Sequence, residues 1–134
     1  MGTRVALRAV RGAITVVHDA PDDIYAATRL LLTEIVGRNG IAVDDIISVI
    51  FTVTADLTSA FPAMAAREMG WLDVPLLCTM EIPVPGALGH CIRVLVHAES
   101  DRPRSHIEHV YLGDAVVLRP DLLDVVDRPG PVLP

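Results

Sequence analysis

The sequence predicts an α+β fold, a mixed β-sheet with helices on one face and the other face available for a partner. Three observations carry that reading. β-branched runs outnumber the helical stretches, of which only two are apparent. Asp45–Thr54 holds Ile46, Ile47, Val49, Ile50, Phe51 and Val53, an apolar run suited to a central strand covered on both faces. And 51% of the 134 residues are hydrophobic, too many for a small chain solvated on every side, so the surplus points to subunit interfaces. The length fits one domain over residues 1–134, with about 124–134 as a flexible C-terminal tail.

Arg4–Val17 reads as the first strand, with Gly12 where a bulge or bend would fall, and its Arg8 and Arg11 interrupt what could pass for a signal segment. Asp19 offers an oxygen to the free amides of a helix start, Pro21 tolerates the first turn, and Asp22 and Asp23 suit the helix dipole. Ile24, Ala27, Leu31 and Ile35 recur at helical spacing, and Gly37–Gly40 stops a helix placed at Pro21–Arg38. Thr58 or Ser59 can cap a short helix that begins near Pro62 and ends at Gly70. Leu76–Val84 and His90–Glu99 read as strands joined by a Pro83–Gly86 loop, because prolines cannot donate to a central ladder. Ile107–Leu112 and Ala115–Leu118 add short apolar segments, and Arg128–Pro134 has no periodicity.

Composition removes several function classes. A net charge of -6 provides neither a nucleic-acid footprint nor a patch for an anionic membrane. No run of eighteen uncharged apolar residues exists to form a transmembrane helix. All eleven basic residues are arginine, which removes Schiff-base lysine chemistry and a phosphate-loop lysine together. Cys78 and Cys91 are too few for a disulfide framework and match no zinc spacing, so a reducing, cytoplasmic setting is expected. His18, His90, His97, His106 and His109 form no zinc motif, and His106 with His109 reads as a solvated pair. Neither a nucleotide-binding glycine motif nor a serine nucleophile elbow occurs. The expectation is a site without metal or cofactor.

Arg93 is the most telling side chain, since apolar neighbours occupy both parities of Cys91-Ile-Arg-Val-Leu-Val96. A desolvated guanidinium there requires an anion, either an acidic core residue or a bound ligand. Arg11 shares its parity with Val5, Leu7 and Ala9, which points it to the apolar side as well. Glu81 could pair with Arg93 or meet a substrate hydroxyl. Cys78, three residues earlier, faces the opposite way on a regular strand and reads as core. Residue patterns alone leave the structural ion pair and the anion site both open.

In these same residues the chain resembles the small monofunctional chorismate mutases of the Bacillus type. The resemblance runs through Ala9-Val-Arg-Gly-Ala13, Thr54-Ala-Asp-Leu57, Phe61-Pro-Ala63 and Ala66-Arg-Glu68. It continues through Val74-Pro-Leu-Leu-Cys-Thr-Met-Glu81, Cys91-Ile-Arg-Val94, His109-Val-Tyr-Leu112 and Ala115-Val-Val-Leu-Arg-Pro-Asp-Leu122. It implies a homotrimeric pseudo-barrel with clefts between subunits, and conversion of chorismate to prephenate by an intramolecular Claisen rearrangement without covalent catalysis. By position, Arg93 matches the arginine at the ether oxygen and Glu81 the acid near the ring hydroxyl. Arg11 and Tyr111 match carboxylate-binding residues, and Leu77, Cys78 and Leu118 match pocket walls. Phe61, Ala63 and Arg67 match residues contributed by the adjacent subunit. Met64 departs from the pattern, which has a lysine at the pocket entrance; Arg67, three residues on, lies close to the same helical face. A trimeric imine or enamine deaminase shares the general architecture but not this residue pattern. A non-enzymatic module binding a small carboxylate at a subunit interface is the remaining alternative.

Overall fold

The computed structural model describes residues 5–118. The tail expected at about 124–134 lies outside them. Five strands, β1 (Ala6–Thr15), β2 (Ile46–Val53), β3 (Leu76–Met80), β4 (Cys91–Ser100) and β5 (Val110–Leu112), form one sheet in the order β3-β2-β4-β1-β5. The sheet is mixed: β4 runs antiparallel to β1 and β2, while β3 and β5 join the edges in parallel. Helices α1 (Pro21–Asn39) and α2 (Pro62–Glu68) complete the order of elements, with short 3-10 turns at Val43–Asp45, Arg104–His106 and Gly113–Leu118.

Pleating explains which side the helices cover. Val10 and Ile14 of β1, Val49 and Phe51 of β2, and Ile92, Val94 and Val96 of β4 are buried in one cluster with Ile24, Leu31, Leu32 and Ile35 of α1 and Ala63 and Ala66 of α2. Each large aliphatic side chain fully buried there contributes about 1.5–3 kcal/mol. The helical spacing read from Ile24, Leu31 and Ile35 is thus the face that packs on the sheet. The opposite face, including Leu7, Arg11 and Leu77, is exposed, and a register shift between Ile46 and Ser48 turns Ile47 to it as well. Only its end near Ala13 and Cys91 is covered, by the Gly113–Leu118 turn with Ala115 buried against both.

Several expectations change. The strand at Ile46–Val53 has one covered face, with Ile47 exposed beside buried Ile46, and β4 rather than β2 stands at the centre of the order. Arg11 does not point into the core: its parity is exposed together with Val5, Leu7 and Ala9. Gly12 marks no bulge, since β1 keeps an unbroken register with β4. It marks close packing instead, because a Cβ there would lie 2.8 Å from Ile35 Cδ1 and 3.0 Å from Leu31 Cδ1. Asp19 caps no helix of its own; Ala20 is the N-cap of α1, and Asp19 accepts from the amides of Thr58 and Ser59 at 3.1 Å. Thr58 and Ser59 in turn do not cap α2, whose N-cap is Phe61. The strand expected to reach Val84 ends at Met80. Asn39 ends α1 by bonding the Glu108 backbone through both ends of its amide, and Gly40 follows in the left-handed region at φ 61.

Candidate functional site

The exposed sheet face carries the charged side chains. Arg93 on β4 stands opposite Thr52 of β2 on one side and Ala13 of β1 on the other. Parallel pairing sets Thr52 beside Thr79 of β3, and the chain leaves β3 one residue before Glu81, whose amide still donates to the Val53 carbonyl at 2.9 Å. Glu81 therefore ends on the Arg93 side of the sheet. Its Oε2 accepts from Thr52 Oγ1 at 2.7 Å and lies 3.4 Å from Arg93 Nε.

The Arg93 and Glu81 side chains are 45% and 29% exposed. A pair that open contributes only about 0–1 kcal/mol to stability, and within one protomer Arg93 carries no large desolvation demand. The expectation that Arg93 is buried among apolar neighbours on both parities is corrected accordingly: its alternate neighbours Ile92 and Val94 face the core, and Arg93 does not. Arg11, Tyr111, Ile50, Thr52 and Leu95 complete an open cavity of about 260 Å³ around the pair. A second hollow of about 410 Å³ continues from Glu81 and Arg93 beneath the 81–90 loop. Leu118 lies apart from both, packed near Tyr111 on the Ala13 and Cys91 cluster.

Phe61, Ala63, Arg67, Leu77 and Cys78 converge elsewhere, on a cavity of about 280 Å³ beside β3 that also takes in Met64 and Leu76. Within one protomer the candidate residues thus fall into two groups. Arg93, Glu81, Arg11 and Tyr111 line one cavity; Phe61, Ala63, Arg67, Leu77 and Cys78 line the other. Phe61 is 71% exposed, a large aromatic surface at the rim. Cys78 packs partly on the core, as its parity predicts, while one side reaches this cavity. The Cys91 thiol is pushed up by burial, with Arg93 nearby acting in the opposite sense.

Sequence reasoning missed Thr52, Ile50 and Leu95, which become wall residues through the β2–β4 register, a pairing that no local pattern encodes. It also missed His109, which is not merely solvated: its Nδ1 accepts the Arg11 amide at 3.0 Å, next to where β5 joins β1. A third oversight is Asp56. This carboxylate accepts the Thr54 hydroxyl and, through both oxygens, the amide of His90. Burial acts to raise its pKa, but these bonds and the His90 ring outweigh it and hold the group below 3.8. Among the described residues, no three His, Cys, Asp or Glu side chains converge as metal ligands do, and no helix is long and apolar enough to cross a membrane.

The chain matches the family described as chorismate mutase type I over residues 7–122. A chorismate mutase AroH of Thermus thermophilus is 54% identical over 117 residues, covering 87% of this chain and 96% of the relative. The chorismate mutase AroH of Bacillus subtilis (strain 168) is 43% identical over 117 residues, covering 87% and 92%. A solved chorismate mutase from Clostridium thermocellum superposes with a TM-score of 0.81 at 53% identity, covering 81% of this chain and 97% of that one.

Proposed function

The chain belongs to the chorismate mutase type I family and is an isomerase that converts chorismate to prephenate in aromatic amino-acid biosynthesis, and we propose that it does so in clefts between the subunits of a homotrimer. Each cleft joins the Arg93 cavity of one protomer to the Phe61 and Arg67 cavity of its neighbour. The observation carrying this reading is the cluster on the open sheet face, where Arg93 and Arg11 oppose a single carboxylate, Glu81, in one cavity. Two guanidiniums against one carboxylate leave net positive charge, which suits a substrate bearing two carboxylates.

The roles follow from the reaction. When the carbon–oxygen bond breaks ahead of carbon–carbon bond formation, negative charge gathers on the ether oxygen. Arg93 meets that charge, and its planar fork also reaches a carboxylate, which an ammonium cannot do in the same geometry. Arg11 and Tyr111 hold the other carboxylate, and Glu81 accepts the ring hydroxyl. Leu118, which lines neither cavity within one protomer, packs beside Tyr111 and adds wall only in the assembled cleft. Leu77 and Cys78 line the pocket, and Phe61 and Ala63 of the neighbour close the cleft and hold the substrate in its compact reactive shape, with the neighbour's Arg67 adding positive charge at the mouth. A millionfold acceleration requires about 8 kcal/mol, which electrostatic stabilisation and restricted conformation divide between them. No step calls for a metal, an organic cofactor or a covalent intermediate.

Separation of the two cavities within one protomer supports sharing between subunits, as does the exposure of Phe61 and Leu77. The whole chain is read as one domain working in the cytoplasm, in keeping with two unpaired cysteines. Incubation with chorismate tests the activity: loss of its ultraviolet absorbance with prephenate appearing in step supports the reading, and a folded protein that leaves chorismate unchanged overturns it. A solution mass three times the 14.4 kDa chain tests the assembly.

A further inference from the structure

We propose that Asp56, which lines the hollow beside Arg93 and bonds Thr54 and His90 instead of Arg93, is a positioning residue that acts on Arg93 through Thr54 and the first residues of β4. The inference rests on the reading of Arg93 given above. Thr54 is the residue directly after β2, and Cys91 is the first of β4. The two residues are tied in both directions: the Thr54 amide donates to the Cys91 carbonyl at 3.1 Å, and the Cys91 amide donates to the Thr54 side-chain Oγ1 at 3.0 Å. That hydroxyl has one proton to give, and it gives it to Asp56 Oδ1 at 2.5 Å. Asp56 therefore fixes the rotamer in which Thr54 can accept from Cys91.

The carboxylate also grips the neighbouring residue. The His90 amide donates to both oxygens, at 3.1 and 3.0 Å, and His90 stands at φ 49, a left-handed conformation that is costly for a side-chain-bearing residue and persists when its surroundings enforce it. The His90 carbonyl accepts from the Val16 amide at 2.8 Å, and its ring Nδ1 lies 3.1 Å from the Val16 carbonyl. Three strand ends thus meet at this point: β1 through Val16, β2 through Thr54, and β4 through Cys91. Room for the carboxylate comes from Gly89, where a Cβ would lie only 2.6 Å from Asp56 Oδ2.

Arg93 is two residues beyond Cys91, so whatever fixes the entry of β4 fixes where its guanidinium emerges opposite Thr52 and Glu81. Stabilising charge on one oxygen is sensitive to the placement of the donor, and a displacement of about 1 Å can cost a hundredfold. Asp56 is accordingly required for the position of Arg93, not for substrate contact.

A double-mutant cycle in the full-length enzyme tests this, with chorismate turnover by the wild type measured first. Asp56→Ala is expected to lower kcat about tenfold, with KM changed less than about twofold, and to lower kcat less than about twofold when introduced into Arg93→Lys, whose compact ammonium lacks the planar fork that depends on fixed geometry. A merely structural role multiplies kcat by the same factor in both backgrounds, and that result overturns the inference. Where Asp56→Ala fails to fold, Thr54→Val removes the relay hydroxyl while keeping the branched side chain, and the same two outcomes decide. A wild type inactive on chorismate sinks the activity reading itself; an active wild type with an unaffected Asp56→Ala sinks this inference alone.

Discussion

Arg93 has two candidate anions, Glu81 and a bound carboxylate or ether oxygen, and magnitudes decide between them. The ion pair with Glu81 at 3.4 Å is partly exposed, so it adds about 0–1 kcal/mol to folding. Meeting charge that develops in a dry cleft contributes several times more, since removal of one such donor typically costs about 2.7–4 kcal/mol. Arg93→Ala should therefore lower kcat by about a hundredfold to a thousandfold and leave the melting temperature and solution mass nearly as they were. Steady-state kinetics beside a thermal melt of the same preparation checks this; a collapsed assembly with proportionate loss of activity would return Arg93 to a structural role. Glu81 differs in kind, because Thr52 holds its Oε2 at 2.7 Å and so fixes the one negative group in the cavity.

Among the elements, β1 shows how tightly α1 is seated. Gly12 leaves no space for a methyl group, with Ile35 Cδ1, Leu31 Cδ1 and the Val110 carbonyl all within 3.0 Å of where it would lie. Gly12→Ala should destabilise the protein by about 1–3 kcal/mol, read from urea unfolding at fixed protomer concentration. The loop before α2 has a different hold. Asp19 sits below its ordinary value of 3.8 because the Ser59 side chain, the Thr58 and Ser59 amides and the Thr58 hydroxyl together outweigh desolvation. A carboxyl depressed in the folded state adds stability above the unfolded pKa and loses it as pH falls through the folded one. The melting-temperature gap between wild type and Asp19→Asn should accordingly stand constant near neutrality and narrow below about pH 4. Much of this scale was legible in the sequence: the spacing of Ile24, Leu31 and Ile35 placed α1, and Pro83 to Gly86 placed the loop after β3. Asp19 was not, because the amides it serves lie 39 and 40 residues away and a local capping pattern fits it equally well. The inward reading of Arg11 failed for another physical reason: a sheet whose open face is also apolar, as Leu7 and Ala9 make it here, has no polar parity to distinguish solvent from core. Grouping Arg93, Glu81, Arg11 and Tyr111 needed strand register, which the resemblance provided and periodicity could not.

At the scale of the whole molecule, the separation of the two cavities carries a stoichiometric consequence. In the proposed ring of three, each protomer would present its Arg93 face to one neighbour and its Phe61 and Arg67 face to the other, a head-to-tail contact that closes on itself. The apolar surface left open by a single chain, with Leu7 58% and Leu77 60% exposed, is the kind such contacts bury. If the clefts are shared as proposed, Arg67→Ala and Arg93→Ala should each disable every cleft of their own homotrimer, since each cleft would use one copy of both residues. Refolded together in equal amounts, the two chains pair at random around the ring. A cleft works when its Arg93 comes from the Arg67→Ala chain and its Arg67 from the Arg93→Ala chain, so about a quarter of the clefts are restored in a heterologous ring. Activity should rise from near zero towards that fraction of wild type, and it should fall again when either chain is in large excess. Mixed trimers verified by native mass spectrometry that remain inactive would place Arg67 and Arg93 in a cleft built by one chain.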